Sequence, residues 1–344
     1  MMVYDAFSSI NFTRHPQLSI IIPACNEEGN LRKLYRELVQ VLSSLAMSWE
    51  IIIIDDGSTD RTWEEIKSIR KQDDSVRGIR LSRNFGHQYA LFAGLSYASG
   101  KAVVSMDADF QHPPEIIPKL IENWQNGSKI VHTVRTDPDD YTFFKKVSSR
   151  LYYKVFSFLT GVPVESGMAD FRLLDRQVVD AVLQFREQGL FLRGLVHWAG
   201  YASSIVEFQA QNRFSGVSKY TLRKMVKFAF YGITSFSIVP LRISILIGIL
   251  TALLAFGELF YVFYVRLFLD RAVPGWASVV GILTLLFGVL FIMLGLVGEY
   301  IGQILIEVRD RPRFLVTELV GLRSLPRIVK SRPLDMEIGN HRAE

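Results

Sequence analysis

One cysteine, Cys25, stands in 344 residues. That excludes an internal disulfide and a cysteine-built zinc cluster, and it suits a reducing compartment. The Gly-x-x-x-x-Gly-Lys-Ser phosphate loop is missing, and no Gly-x-Gly-x-x-Gly turn follows the first apolar run. Neither common glycine cradle for phosphate is therefore available. Met1 to Gln17 is polar and mixed, without the apolar centre of a secretion signal, so the N-terminal region is expected on the cytoplasmic side. A strong charge of one sign is also lacking: 39 Lys and Arg face 34 Asp and Glu, a net +5. Many of the basic residues flank apolar windows, where anionic lipid headgroups are the expected partner and nucleic acid is not.

What is present is apolar surface, 49% of the chain. Two windows in the last third, about Leu241 to Val265 and Ala277 to Val297, are long enough to cross a ~30 Å hydrocarbon core at ~1.5 Å per residue. This excludes an ordinary soluble globular protein. Glu258, inside the first window, is expected to face protein or the interface.

The first hundred residues alternate two patterns. Short apolar runs at Leu18–Pro23, Glu50–Ile54 and Ala102–Met106 read as buried strands, and Val76–Leu81 reads as a further strand. Between them lie helical periods at Leu31–Leu45, Thr62–Lys71 and Tyr89–Ala98. The order β-α-β-α-β-α-β predicts a parallel, doubly wound α/β sheet. Ligands of such sheets sit beyond the carboxyl ends of the strands. Polar clusters stand at all four ends: Pro23 to Glu27, Asp55 to Ser58, Asn84 to Gly86, and Asp107 to Gln111.

In the last cluster Asp107 and Asp109 are one residue apart. An extended chain points alternate residues to one side, so both carboxylates can meet one cation, with Gln111 adding a carbonyl oxygen. The plainer reading of a lone Asp-x-Asp is a solvated turn before a proline-started helix. Asp56 and Ser58 likewise have a plain reading as turn and cap residues.

Taken together, Pro23-Ala24-Cys25-Asn26-Glu27-Glu28, Asp55-Asp56-Gly57-Ser58, and Asp107-Ala108-Asp109 with Gln111 and Pro113-Pro114-Glu115 resemble the family 2 glycosyltransferases of GT-A fold. Within them the chain is similar to the polyprenyl-phosphate glycosyltransferases, from about Leu18 to Leu325. The resemblance implies a nucleotide-sugar pocket lined by Pro23, Asn26, Glu27, Asp55, Asp56, Asn84, Gly86 and Asp107, with Asp55 facing the uracil or the ribose. It implies Mg²⁺ or Mn²⁺ on Asp107, Asp109 and Gln111. Cys25 departs from the family's usual aromatic, which changes packing against the base.

The same resemblance places catalytic work on Asp109, Arg135, Asp170 and Arg172. Arg135 would meet phosphate, although an ion pair with Asp137, Asp139 or Asp140 explains it too. Asp170, in Ser166 to Arg176, would orient the acceptor, with a base role left open. Arg193 stands near the site or in a surface ion pair. Arg213, Ser218 and Lys219 resemble a lid over the phosphates; a lipid-headgroup contact is the plainer alternative. His132 is expected on a polar strand side and not on a metal. Phe143 to Leu159 and Leu222 to Ser237 read as basic amphipathic stretches at the membrane surface, the first equally as an ordinary packed helix.

The expected organisation is a flexible tail (1–16), a GT-A catalytic domain (17–221), an interfacial helix (222–240), two spanning helices (241–300) and a cytoplasmic C-terminal tail (301–344) that packs on its own or a neighbour's catalytic domain. Basic residues are denser before Leu241 and after Glu299 than between the spans, which puts both termini in the cytoplasm. The function implied by the resemblance is inverting transfer of a hexosyl group, from UDP-glucose, to undecaprenyl phosphate in the cytoplasmic membrane, by a homo-oligomer. Other donors, GDP-mannose, UDP-galactose or a UDP-amino sugar, stay open. A processive polysaccharide synthase would need a Gln-x-x-Arg-Trp stretch and more spans. A silent scaffold or lipid carrier would tolerate damaged carboxylates, and these are intact; two spans make a poor flippase.

Overall fold

The computed structural model describes residues 16–136, 168–209, 238–268 and 275–322. The stretches at 143–159 and 222–237 and the lid residues Arg213, Ser218 and Lys219 lie outside them. The first four strands are β1 (Leu18–Ala24), β2 (Trp49–Asp55), β3 (Val76–Leu81) and β4 (Ala102–Ser105). They pair in parallel, as the sequence predicts, and their order is β4-β1-β2-β3. The helices between them are α1 (Leu31–Ser43), α2 (Thr62–Gln72) and α3 (His87–Tyr97).

The complete sheet is mixed. After a 3₁₀ turn at Pro114–Ile116 and α4 (Ile117–Gln125) come β5 (Ile130–Thr136), β6 (Met168–Asp175), α5 (Arg176–Val182), α6 (Leu192–Trp198) and β7 (Ser203–Gln209). Strand β6 runs antiparallel between β4 and β5, and β7 pairs in parallel with β5. Strand β8 (Val316–Val320) closes the far edge, antiparallel to β3, giving eight strands in the order β7-β5-β6-β4-β1-β2-β3-β8.

Alternation along the buried strands builds two apolar layers. Ile20, Ile22, Ile51 and Ile53 pack under α1, α2 and α4, against Leu34, Leu38, Trp63, Ile66 and Leu120. Ile21, Ile52, Ile54 and Val103 point the other way, toward α3, α5 and α6. Burial is near complete on both sides, which is why these strands read as continuous apolar runs.

Two long helices stand apart from this core: α7 (Val239–Phe268, 30 residues) and α8 (Trp276–Val308, 33 residues). Both run past the expected spans, because a helix continues beyond the hydrocarbon wherever nothing breaks it. They present large apolar side chains outward, as at Leu246, Phe260 and Ile292, and both are long and apolar enough to cross a membrane. An apolar groove of about 320 Å³ opens between them, lined by Pro240, Ile247, Val289 and Met293 among others.

The chain then returns to the sheet. Glu307 Oε2 accepts from Gln188 N–H over 2.9 Å, Arg313 donates to the Phe185 carbonyl over 2.6 Å, and Phe314 is buried. The expected C-terminal tail thus supplies a strand of its own catalytic domain.

Candidate active site

Three loops meet at the carboxyl ends of β1, β2 and β3. Asn26, held at φ 59°, donates its backbone N–H to Ser58 Oγ (2.9 Å), and its Oδ1 accepts from Thr59 N–H (2.9 Å). Glu27 takes Asn30 Nδ2 over 2.6 Å, and its own N–H meets Thr62 Oγ1 over 2.9 Å. Asp55 Oδ1 accepts from Ser58 N–H over 2.8 Å. Asp56 accepts from Phe85 N–H (2.8 Å) and Gly86 N–H (2.9 Å), fastening the β3–α3 loop. Burial raises the Asp56 pKa, against those two hydrogen bonds that lower it. Gly57 has φ 66°, and a Cβ there would come 2.3 Å from the Arg83 carbonyl carbon, so only glycine allows this approach.

Asp55, expected to face the base or ribose, is fully enclosed by its own chain. Pro23 and Asp56 are buried as well; Asn26 and Asn84 are exposed, and Cys25, Glu27 and Gly86 are partly so. Asn84 Nδ2 lies 3.1 Å from Cys25 Sγ. The accessible rim of this pocket is thus two amides, one thiol, the Glu27 carboxylate and backbone.

At the end of β4, Ala108 and Phe110 are buried while Asp107 and Asp109 are partly exposed, the alternation expected of an Asp-x-Asp facing a cleft. Phe110 turns the chain at φ 62°. Asp109 Oδ1 accepts from Gln111 N–H (3.1 Å), and Gln111 Oε1 accepts from Arg135 Nη1 (3.3 Å). Asp107 Oδ1 is buried and makes no hydrogen bond. An oxygen in that condition suits a cation. Among the described residues no three His, Cys, Asp or Glu side chains form a metal cage. Two carboxylates completed by substrate phosphates is the habit of Mg²⁺-like ions, so the donor set fits such an ion.

Asp170, on β6, lies beside this pair. Strand β6 is positioned by Ser105 Oγ, which donates to the Asp170 carbonyl over 2.6 Å. The Asp170 carboxylate pairs with Arg172 Nη2, with Arg193 Nη2 at 3.5 Å, with His87 Nε2 at 3.6 Å and with Gln88 Nε2 at 3.1 Å. Burial alone would raise its pKa; Arg172, His87 and Arg193 outweigh that and hold it well below the usual carboxylate range. His87 Nε2 also lies 3.5 Å from Asp107 Oδ1. Burial lowers the His87 pKa, but Asp170 and Asp107 raise it further, and the net shift is upward.

Two histidines were not singled out from the sequence. His87 opens α3 and faces Asp107 and Asp170, a contact no local pattern announces. His112 accepts the Asp107 N–H at Nδ1 over 2.9 Å and stacks on Phe171 with ring centres 5.1 Å apart. It braces the Asp-x-Asp turn from below. His132 is buried on β5, in register with Arg172.

With this geometry in place, comparison with known sequences decides the family. The profile described as glycosyl transferase family 2 matches residues 19–183, and that of the GtrB C-terminal hairpin matches residues 239–304. The uncharacterized glycosyltransferase YkcC of Bacillus subtilis is 40% identical over 312 residues, covering 91% of this chain and 97% of that protein. The chain belongs to glycosyltransferase family 2. The bactoprenol glucosyl transferase of Shigella phage SfII is 35% identical over 300 residues, 87% of this chain and 97% of that one. Among solved structures, mannosyl-3-phosphoglycerate synthase from Rubrobacter xylanophilus aligns with 66% of this chain and 74% of its own at a TM-score of 0.47 and 17% identity. Strands β1 to β6 of the GT-A-like mixed sheet, Leu18 aside, fall within the family 2 match, and the hairpin α7–α8 has a match of its own.

Proposed function

We propose that this glycosyltransferase moves glucose from UDP-glucose to undecaprenyl phosphate at the cytoplasmic face of a membrane, with inversion, releasing UDP and a β-linked lipid monophosphosugar. The observation that carries the reading is the Asp170 cluster of Arg172, Arg193 and His87 beside Asp107, on a domain whose chain runs on into two apolar helices. The name of the phage SfII relative supports the choice of glucose and of a bactoprenol acceptor.

The amide-lined rim around Asn26, Cys25 and Asn84 takes the nucleoside. Asp107 and Asp109 would hold Mg²⁺ or Mn²⁺, which when bound neutralises the charge of the leaving diphosphate. Arg193 receives the acceptor phosphate, and Arg172, almost wholly buried, holds Asp170 in place behind it. A phosphate monoester has its second pKa at about 6 and is largely dianionic at neutral pH, so it needs little deprotonation. Asp170, kept ionised by its arginines, makes a poor base near pH 7. Its work is to aim the Arg193 guanidinium. Arg135 reaches the Asp-x-Asp loop through Gln111 and steadies it. The lid residues Arg213, Ser218 and Lys219 would add positive charge over the phosphates. The rate gain comes from orientation and from preorganised charge.

The test is sugar transfer by purified protein to undecaprenyl phosphate from a panel of radiolabelled UDP- and GDP-sugars, with and without Mg²⁺ or Mn²⁺. Metal-dependent labelling from UDP-glucose, abolished in Asp109→Ala, is the expected result. Labelling from another donor alone would replace the sugar. No labelling from any donor by folded protein would favour a scaffold or carrier role.

A further inference from the structure

The strand that returns from the hairpin reaches the nucleotide loops through one arginine. Arg80 on β3 stands directly across from Glu318 on β8. Its Nη1 donates to Glu318 Oε1 over 2.9 Å, and its Nε lies 3.4 Å from Asp55 Oδ2. Glu318 Oε2 accepts from the Trp63 indole N–H over 2.9 Å, so both carboxylate oxygens are held. Asp55 is wholly enclosed; its Oδ1 is taken by Ser58, while Oδ2 has no hydrogen bond and faces the Arg80 guanidinium. Ser58 in turn receives the Asn26 N–H. An unbroken row of contacts therefore runs from Glu318 through Arg80, Asp55 and Ser58 to Asn26.

We propose that Arg80 is a positioning residue for nucleotide binding and that Glu318, supplied from beyond the membrane hairpin, sets its position. The inference rests on reading the Asn26 and Asp55–Ser58 loops as the nucleoside-diphosphate pocket. A buried carboxylate without a cation beside it is costly, so displacing Arg80 favours loop states in which Asp55 reaches water. Those states undo the Ser58–Asn26 contact on which the pocket is built. The Arg80–Glu318 pair itself is half-exposed and adds little stability. Its effect is therefore on the loop more than on the fold. Arg80 sits behind Asp55, away from the reacting atoms, so donor affinity changes and the chemical step does not.

The experiment uses the full chain in lipid nanodiscs and measures the Kd for UDP with Mg²⁺, the KM for donor and for acceptor, kcat and Tm. The variants are Glu318→Gln, Arg80→Lys, Arg80→Ala and Thr317→Val; the last removes a β8 contact to the Arg80 carbonyl (3.3 Å) without touching the guanidinium. Arg80→Ala is expected to raise the UDP Kd and donor KM about tenfold, equivalent to about 1.4 kcal/mol. Glu318→Gln should raise both about threefold with Tm nearly unchanged, as for other half-exposed pairs. Arg80→Lys should fall between wild type and alanine. The kcat and acceptor KM stay within about twofold of wild type, as for a loss of uniform donor binding, and Thr317→Val moves Tm alone. Wild-type affinity in Glu318→Gln and both Arg80 variants overturns the proposal, as does a donor KM that follows Tm in every variant, Thr317→Val included. Should Arg80→Ala not fold, Glu318→Gln and Arg80→Lys decide the matter. Absence of UDP and GDP binding by the wild type would instead reject the nucleotide reading of these loops.

Discussion

Asp170 is flanked by two arginines whose surroundings differ, and the difference separates folding from chemistry. Arg172 is almost wholly buried, so removing it leaves Asp170 partly uncompensated in the interior, a loss of about 3–5 kcal/mol. Arg193 keeps 23% of its side chain exposed and sits 3.5 Å from the same carboxylate. Arg193→Ala should therefore leave Tm within a few degrees while lowering transfer about a hundredfold, as expected for loss of a charged phosphate-facing donor. Arg172→Ala should unfold early; paired thermal melts and initial rates check both. His132, close by on β5, carries the opposite burden. Burial and then Arg172, His197 and Arg193 push its pKa down to about 3 from 6.5. Below the unfolded value the unfolded chain binds a proton that the folded chain refuses. The stability held above about pH 6.5 is thus lost as pH falls toward 3. Between pH 7.5 and 5.0 the loss is about 2 kcal/mol. His132→Asn should flatten this part of the Tm–pH profile relative to wild type, and equal profiles would show that His132 does not carry the slope.

At the scale of elements, the sequence exposes what is locally encoded and hides what depends on distant pairing. The parallel strands β1, β2 and β4 were legible because a strand buried on both faces is an apolar run ending at a polar loop, whereas β3, with Arg77 and Arg80, was legible by its place in the alternation. The helices α1 and α2 showed their period, and the hairpin showed its length. Strand β6 was read as a motif around Asp170 and not as a strand. Its antiparallel place between β4 and β5 follows from pairing that no local pattern encodes. Strand β8 is short and mostly exposed, Val-Thr-Glu-Leu-Val, and gains its meaning from an edge on β3, with Arg80 and Glu318 238 residues apart. The Asp-x-Asp pair and Asp170 were legible as chemistry through the family resemblance. Their braces, His87 and His112, were not, because each acts through a contact set by the fold: the start of α3 against β6 for one, and a ring stacked on Phe171 for the other. Asp55 shows the reverse limit. A carboxylate at a strand end looks like a ligand contact, while here the turn it closes also encloses it.

For the whole molecule, the sheet constrains how the chain crosses the membrane. Strand β7 ends at Gln209 before the hairpin, and β8 begins at Val316 after it, yet both belong to one eight-stranded sheet. Both ends of the α7–α8 hairpin are therefore expected to open on the same side, which an even number of crossings between Gln209 and Val316 permits. Among the described residues two helices are long and apolar enough to cross. The basic residues Arg309, Arg311 and Arg313 follow α8 directly, and a basic flank marks the cytoplasmic side. The catalytic domain is thus expected inside the cell and the turn between the helices outside. The single native cysteine makes this testable. In a Cys25→Ser background, Gly275→Cys reports on the start of α8 and Gln72→Cys on the exposed end of α2. A membrane-impermeant maleimide added to intact cells should label the first and spare the second, and after permeabilisation it should label both. Labelling of Gln72→Cys in intact cells would invert the topology and remove the cytoplasmic nucleotide sugar from reach of the site. Protection of both positions in intact cells, with equal labelling after permeabilisation, would mean that the hairpin does not cross, and the acceptor would then have to be met by a domain lying on the membrane surface.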